Sequence, residues 1–358
     1  MTKIRQLLKE MIDKEASDLF YRAGGTTRFR IDGKVVVVDT VLLSVDDVMM
    51  AVEDLATSLQ RDAFRKHGDV DFSLYLEELK YRFRVDIFMQ RNWPSIVIRR
   101  IKGATQTFEE LNLPAETIRK LCQEPRGLVL LTGTMGSGKS TTIASMIEYI
   151  NCTMQKHVLT IEEPIEFTFE DKKSIVNQRE IGADVASYPV ALRTLTLQSP
   201  DVIFLGNIRD AETMSAAITA AETGALVLST LHTVNAVQSI ERMINFFPPH
   251  QQQETKNQLS GLLKGVLSLR LIPSKDKKGR LPAYETMLLT PTISRLIREG
   301  KLWEIPHFLE EGGIFGLQSF NQSLVKLVKE GKISEEEAGN FADNKEEFDL
   351  CLQGIKRT

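Results

Sequence analysis

The sequence predicts an α/β protein in two parts, a small α+β domain with an antiparallel sheet and a larger domain built on a buried parallel sheet. Three observations carry this. The 358 residues exceed one typical domain and leave enough chain for a core in each of two. The first hundred residues read as short strands and hairpins flanked by helices. From Arg126 onward the pattern changes to near-continuous apolar runs separated by helical stretches, as strands buried on both faces require.

In the first part, Ile4, Leu7, Leu8, Met11 and Ile12 interleave with charged residues, the spacing of an amphipathic helix rather than a signal peptide. Asp18 to Tyr21 reads as a short strand that stops at Gly24-Gly25. Arg28 to Val38 reads as a hairpin around Asp32-Gly33. Ser44-Val45-Asp46-Asp47 has the form of a capping box and opens a helix expected to run to about His67, with Gly68 as its stop. Residues 69–76 and 81–89 form a second strand pair. In the latter Phe83, Val85 and Ile87 share one face, and Arg82, Arg84 and Asp86 the other. Ser95 to Ile101 adds a further strand, and residues 102–114, with Gly103, Thr105 and Thr107, read as a linker. The expected division is therefore 1–101, 102–114 and 115–358.

In the second part, Leu113-Pro114 opens a short helix, and apolar runs follow at 127–132, 157–161, 202–206 and 225–231. The tail from about Gln252 reads as helical, interrupted between Pro273 and Pro282. Directly after the first run stands Gly133-Thr134-Met135-Gly136-Ser137-Gly138-Lys139-Ser140, which fits the phosphate-loop pattern G-x-x-x-x-G-K-[ST]. Thr141 begins the helix that follows, with Ile143, Met146, Ile147 and Ile150 at helical spacing. Strand, glycine loop and helix in that order let backbone N–H groups curl around phosphate oxygens at a helix N-terminus. Residues 133–141 are thus the expected nucleotide contacts, with Lys139 reaching the β- and γ-phosphates and the Ser140 hydroxyl ligating Mg²⁺. The loop predicts that the chain binds a nucleoside triphosphate.

Ligands of open parallel sheets collect at the carboxyl ends of the strands. The second run ends at Glu162 and Glu163, the third at Asn207 with Arg209 and Asp210 beyond, and the fourth at His232. One polar strand end alone is as readily a solvated end; four in succession point to a site. Hydrolysis of a triphosphate needs a carboxylate near the metal, a group to deprotonate water, and positive charge for the transferred phosphoryl. Glu162 and Glu163 supply carboxylates. Asn207 accepts no proton at neutral pH but still hydrogen-bonds. Positive charge is available from Arg193, Arg209 or the arginines of the first domain.

Composition narrows the partners. The first hundred residues carry a net charge of +1 and the remainder −4, so neither part has a nucleic-acid footprint and no nucleic-acid partner is expected. Cys122, Cys152 and Cys351 form no C-x-x-C pair, which makes a reducing cytosol the default. No apolar run approaches membrane-spanning length, so work at a membrane would be peripheral.

Taken together these stretches resemble the PilT/PilU family of type IV pilus retraction ATPases, within the secretion ATPase superfamily. The resemblance runs over nearly the whole chain. It includes Ala16 to Leu19, the phosphate loop, Thr160 to Phe167 (similar to the acidic box), Val176 to Glu180, Asp201 to Asp210 at the Walker B position, Ala221 to Thr233 (the histidine box), and Thr292 to Glu299. It implies a PAS-like first domain, a RecA-like phosphate-loop ATPase domain with a C-terminal helical segment, and a homohexameric ring. It further implies ATP between the two domains, Mg²⁺, and arginines of the first domain at the site; Arg84 and Arg99 match best, although surface arginines on a sheet are also ordinary. The implied partners are the inner-membrane platform protein and a second retraction ATPase, at the cytoplasmic face of the inner membrane. Assembly-type relatives carry a longer N-terminal region and a tetracysteine zinc module, neither of which this sequence shows, so the expectation is retraction rather than assembly. Ser17 to Phe20, Gln90-Arg91-Asn92 and Ile244 to Pro248 lean toward the PilU-like branch.

Two positions depart from the family's pattern. Asn207 stands where Walker B has Glu, and Ala225 replaces the first histidine of the histidine box, leaving His232. Glu162, matching the family's catalytic base, is retained, with Glu163 in place of the usual Asp. The expectation is a retraction motor that binds ATP and turns it over slowly. The alternative is an accessory, weakly hydrolytic ring beside a principal motor. A nucleic-acid translocase rests on fold analogy alone.

Overall fold

The computed structural model describes residues 2–31, 33–101, 105–276, 279–311 and 316–354. The Asp32 half of the expected Asp32-Gly33 turn and the Lys102-Gly103 start of the expected linker lie outside the described residues. The chain divides into two compact units, one of residues 1–104 with 164–169, the other of residues 105–163 with 170–358.

The first unit runs α1 (Lys3–Asp13), β1 (Asp18–Arg22), β2 (Thr26–Ile31), β3 (Lys34–Leu42), α2 (Val45–Leu55), α3 (Ser58–His67), β4 (Asp69–Leu76), β5 (Tyr81–Gln90) and β6 (Trp93–Arg100). The strands form one six-stranded sheet in the order β3-β2-β1-β6-β5-β4, and each neighbouring pair is antiparallel. Phe83, Val85 and Ile87 are fully buried on one face, in a core with Leu8 and Met11 of α1 and Val48 and Val52 of α2. One helix was expected over 44–67, and two form. Ala56 is extended, and Thr57 caps a new helix by exchanging bonds with Gln60, while Gly68 ends it in the left-handed region at φ +80°.

On the other face a row of charges crosses the sheet in register: Arg30, Asp18, Arg99 and Arg84. Asp18 is 3% exposed and accepts from Ser17 Oγ (2.7 Å), Arg30 Nε (3.0 Å) and Arg99 Nε (2.9 Å). Burial pushes its carboxyl up, but the Ser17 hydroxyl and the arginines outweigh that and hold it below the ordinary carboxylate value. A carboxyl lowered on folding stabilises the fold above its unfolded pKa, and that contribution is lost as pH falls through the folded value. Asp18→Asn should therefore destabilise the chain by about 1–2 kcal/mol at neutral pH, the upper range for bonds to a charged group being discounted because the arginines are solvated. Urea denaturation at pH 7 and at pH 3 checks this; the gap between wild type and variant should close at the lower pH.

The second unit runs α4 (Ala115–Cys122), β7 (Gly127–Thr132), α5 (Lys139–Thr153), β8 (His157–Glu162), β9 (Ile175–Glu180), α6 (Tyr188–Thr194), β10 (Val202–Leu205), α7 (Ala211–Glu222), β11 (Leu226–Leu231), α8 (Ala236–Asn245) and α9 (Pro249–Leu262). Then follow β12 (Leu263–Pro273), β13 (Arg280–Leu288), α10 (Pro291–Glu299), α11 (Ile305–Glu311), α12 (Phe320–Lys329), α13 (Glu335–Phe341) and α14 (Lys345–Leu352). The seven-stranded sheet has the order β13-β12-β7-β11-β10-β8-β9, parallel except for the edge strand β13. The four expected apolar runs are its central strands β7, β8, β10 and β11, and all residues of β7 and β11 are buried. Phe108, within the expected linker, is buried and packs on Tyr149 of α5.

The tail corrects one expectation. Between its helices it forms a β-hairpin, β12 pairing antiparallel with β13, and it is helical again from α10 onward. Gly265 is wedged so that a Cβ there would lie 2.9 Å from Leu121 and 3.1 Å from the Met287 carbonyl, which seats β12 beside β7. Pro273 and Pro282 stand in this hairpin rather than breaking a helix, Pro282 in the edge strand, where a missing N–H is tolerated. Strand β9, which the apolar-run reading did not include, closes the opposite edge. Among the described residues no helix is long and apolar enough to cross a membrane.

Candidate functional site

The carboxyl ends of β7, β11, β10 and β8 lie side by side. Thr132 pairs with Leu231, Ser229 with Leu205, and Leu205 with Ile161, so Gly133, His232, Asn207 and Glu162 emerge at one end of one sheet. This is where an open parallel sheet gathers ligands.

The loop has the backbone its glycines predict. Gly133 sits at φ +143°, and a Cβ there would lie 2.5 Å from the Leu269 carbonyl, so only glycine fits. Gly138 caps α5 in the left-handed region at φ +98°. Lys139 is 7% exposed, and its Nζ donates to the carbonyls of Gly133 (2.7 Å) and Thr134 (2.9 Å), which folds the ammonium over the loop. Ser137 Oγ is buried without a hydrogen-bond partner. Met135 stands exposed at the tip, and Ser140 and Thr141 occupy the first turn of α5. A cavity of about 490 Å³ opens beside the loop, walled by Val234, Leu269, Leu271 and Phe341.

Glu162 is the last residue of β8 and 6% exposed. Its Oε1 accepts from Thr160 Oγ1 at 2.6 Å and Gln178 Nε2 at 3.2 Å. Thr160 is two residues back on the same strand face, and Gln178 pairs with it from β9. Neither was singled out from the sequence as a site residue, although a period of two from Glu162 points to Thr160. Glu163 turns to solvent and pairs with Arg209 Nη1 at 2.8 Å, so these two candidates hold each other. Arg193 is exposed on α6.

Asn207 follows β10, and its Oδ1 is buried with no hydrogen-bond partner. Its backbone is held on two sides. The Tyr188 hydroxyl hydrogen-bonds the Asn207 backbone, and Thr230 Oγ1 donates to the Gly206 carbonyl at 2.6 Å. A Cβ on Gly206 would come within 3.1 Å of the Tyr188 oxygen. Burial and the neighbouring Glu163 push the Tyr188 hydroxyl up to about 12, so it stays a neutral hydrogen-bonding group. Tyr188 belongs to no sequence motif that would mark it as a site residue.

His232 is lowered below the ordinary imidazole value by partial burial and then by the charges of Lys139, Arg209 and Arg242. It is therefore neutral at pH 7. Arg84 and Arg99 belong to the first unit, where they face each other across β5 and β6, Arg84 bonded to Asp71 (2.9 Å) and Arg99 to Asp18.

The chain matches a family model described as type II/IV secretion system protein over residues 1–338. It is 38% identical over 351 residues to the type IV pilus ATPase PilU of Pseudomonas aeruginosa, covering 98% of this chain and 91% of that protein. It is 40% identical over 345 residues to the type IV pilus retraction ATPase PilT of the same organism, covering 96% of this chain and 99% of that one. A crystal structure of the pilus retraction motor PilT with bound ADP superposes with a TM-score of 0.89 at 40% identity, over 97% of this chain and 99% of that one. A fold shared across nearly the whole length, with a phosphate loop at its sheet end, leaves one conclusion: the chain belongs to the type II/IV secretion system protein family, within its branch of PilT- and PilU-like ATPases.

Proposed function

We propose that this chain is an ATP-hydrolysing motor that powers type IV pilus retraction, working as a homohexamer at the cytoplasmic face of the inner membrane on the platform protein. The observation that carries it is the Glu162 carboxylate, buried and oriented by Thr160 and Gln178 at the same sheet end as a complete phosphate loop.

In this reading the loop N–H groups and the α5 N-terminus hold the phosphates, and Lys139 exchanges the Gly133 and Thr134 carbonyls for phosphate oxygens. Glu162 orients the attacking water and accepts its proton. Arg209, steadied by Glu163, offers positive charge to the transferred phosphoryl. His232, neutral, contributes hydrogen bonds rather than charge. For Arg84 and Arg99 the proposal is cationic charge toward the phosphates. The donors present suit Mg²⁺: the Ser140 hydroxyl and the orphaned Asn207 Oδ1 are hard oxygen ligands, with the Glu163 carboxylate nearest in type but engaged by Arg209. When bound, the ion supplies charge neutralisation for the β- and γ-phosphates.

The test compares purified chain with Lys139→Ala. Wild type should bind ADP and hydrolyse ATP, and the variant should lose both. Equal activity in the two would overturn the reading. Asn207 favours a second reading, a nucleotide-binding accessory ring that assists a principal retraction ATPase. Pilus retraction restored by this chain alone, in cells lacking every other retraction ATPase, decides for the motor.

A further inference from the structure

Behind the phosphate loop lies a buried carboxylate that the hydrolytic reading does not use. Glu285, on β13, is 8% exposed. Its Oε1 accepts the backbone N–H of Ala236, the first residue of α8, at 2.7 Å, and Ser268 Oγ of β12 at 3.4 Å. Ser268 Oγ in turn accepts from Thr132 Oγ1 at 2.9 Å. Thr132 is the residue before Gly133, and the Leu269 carbonyl next to Ser268 is the atom pressed against that glycine. The other branch ends at α8, whose lead-in carries His232 and Val234, the latter a wall of the cavity beside the loop.

We propose that Glu285 is a positioning residue for the nucleotide site, its ionised carboxylate terminating a buried chain of donors that ties the root of the phosphate loop to the start of α8. The inference rests on the reading that the loop binds nucleotide. The direction of the bonds carries it. Thr132 donates to Ser268, Ser268 donates to Glu285, and the Ala236 N–H donates to the same Glu285 oxygen, so both branches end on one acceptor. A carboxylate is acceptor-only; protonation removes its charge and turns one oxygen into a donor, which weakens both branches at once.

Both states are populated near neutral pH, because burial pushes this carboxyl up to about 7. The charges acting on it are Asp343, before α14, which raises it, and Arg270 of β12, which lowers it and is itself paired with Asp343. Strand β7 brings no charged residue, α8 carries Glu241 and Arg242 in its second half, and α12 carries Lys326 and Lys329. A nucleotide that needs the loop in its tied form binds the ionised state better, and by linkage binding favours ionisation.

The experiment measures ADP affinity of the full chain by calorimetry at pH 6, 7 and 8.5, for wild type, Glu285→Gln and Ser268→Ala. Titration of ADP itself is common to all three, so the reading is the ratio between them. Wild type and Glu285→Gln should bind alike at pH 6, and wild type should bind about fivefold tighter at pH 8.5, the low end of ordinary site coupling. Ser268→Ala, which cuts the branch to the loop but leaves the Ala236 bond, should also lose the pH-dependent gain. A ratio of one at every pH, or one that does not change with pH, would overturn the proposal, as would a Ser268→Ala profile identical to wild type. Carbon-13 NMR of the unsubstituted chain tests it without a variant: the Glu285 titration midpoint should fall when ADP is added, and an unmoved midpoint overturns it. Wild type that binds no ADP at any pH overturns the nucleotide reading itself, a distinct result.

Discussion

Glu162→Gln should lower ATP turnover ~10²–10⁴-fold, the usual worth of a general base, while nucleotide affinity stays essentially unchanged. The substitution is clean for a structural reason. Glu162 is buried at the end of β8, and its Oε1 is held by the Thr160 hydroxyl and the Gln178 amide. A glutamine can leave its carbonyl oxygen on those two donors and place its NH₂ where the second carboxylate oxygen stood. Size and orientation are kept, and the ability to take a proton is lost. Steady-state ATPase assays with calorimetry on the same preparations separate the two effects. Turnover equal to wild type would remove Glu162 from the mechanism and leave Glu163, whose bond to Arg209 makes it the poorer base. Gln178→Ala, which frees one side of the carboxylate, should lower turnover about tenfold, since such positioning acts through geometry rather than charge.

The strands buried on both faces were legible because their composition is one-sided: residues 127–132 and 225–231 are almost wholly apolar. The loop was legible because its glycines answer a backbone demand, met at Gly133 and Gly138 by positive φ. Strands β12 and β13 were not. Leu263 to Pro273 mixes Lys264, Ser268 and Arg270 with leucines, and a short mixed run is not assigned by periodicity alone. What makes it a strand is its place against β7, a tertiary fact. The split between α2 and α3 is written locally, in a second capping box of Thr57 and Gln60 that follows the one at Ser44. In the site, strand ends could be read one by one, whereas Gln178, Tyr188 and the Ser268–Glu285 pair act through contacts far apart in sequence, which no motif spacing reports.

Introducing a carboxylate at residue 207 should raise turnover about tenfold, and Asn207→Asp and Asn207→Glu together test where the charge must stand. Removing one electrostatic group from such a site costs ~10²–10³; an added one in surroundings not built for it returns part of that. The position is prepared. Tyr188 and Thr230 fix the backbone on both sides, and the amide oxygen is buried with no partner, so an acceptor is already present at the end of β10. Aspartate adds charge without added length, and glutamate adds a methylene as well. Lys139 and Arg209 as well as Glu162 and Glu163 stand at this end of the sheet, so cations share the surroundings of the added charge. If the charge acts through the cation of the nucleotide, the Mg²⁺ concentration for half-maximal turnover should fall in the same variant whose rate rises. A rate that rises at constant Mg²⁺ dependence would place the effect on the water held by Glu162 instead. Two variants that bind ADP like wild type and gain nothing would mean that the amide is not what limits hydrolysis. The accessory-ring reading, which draws its support from that amide, would then lose its basis.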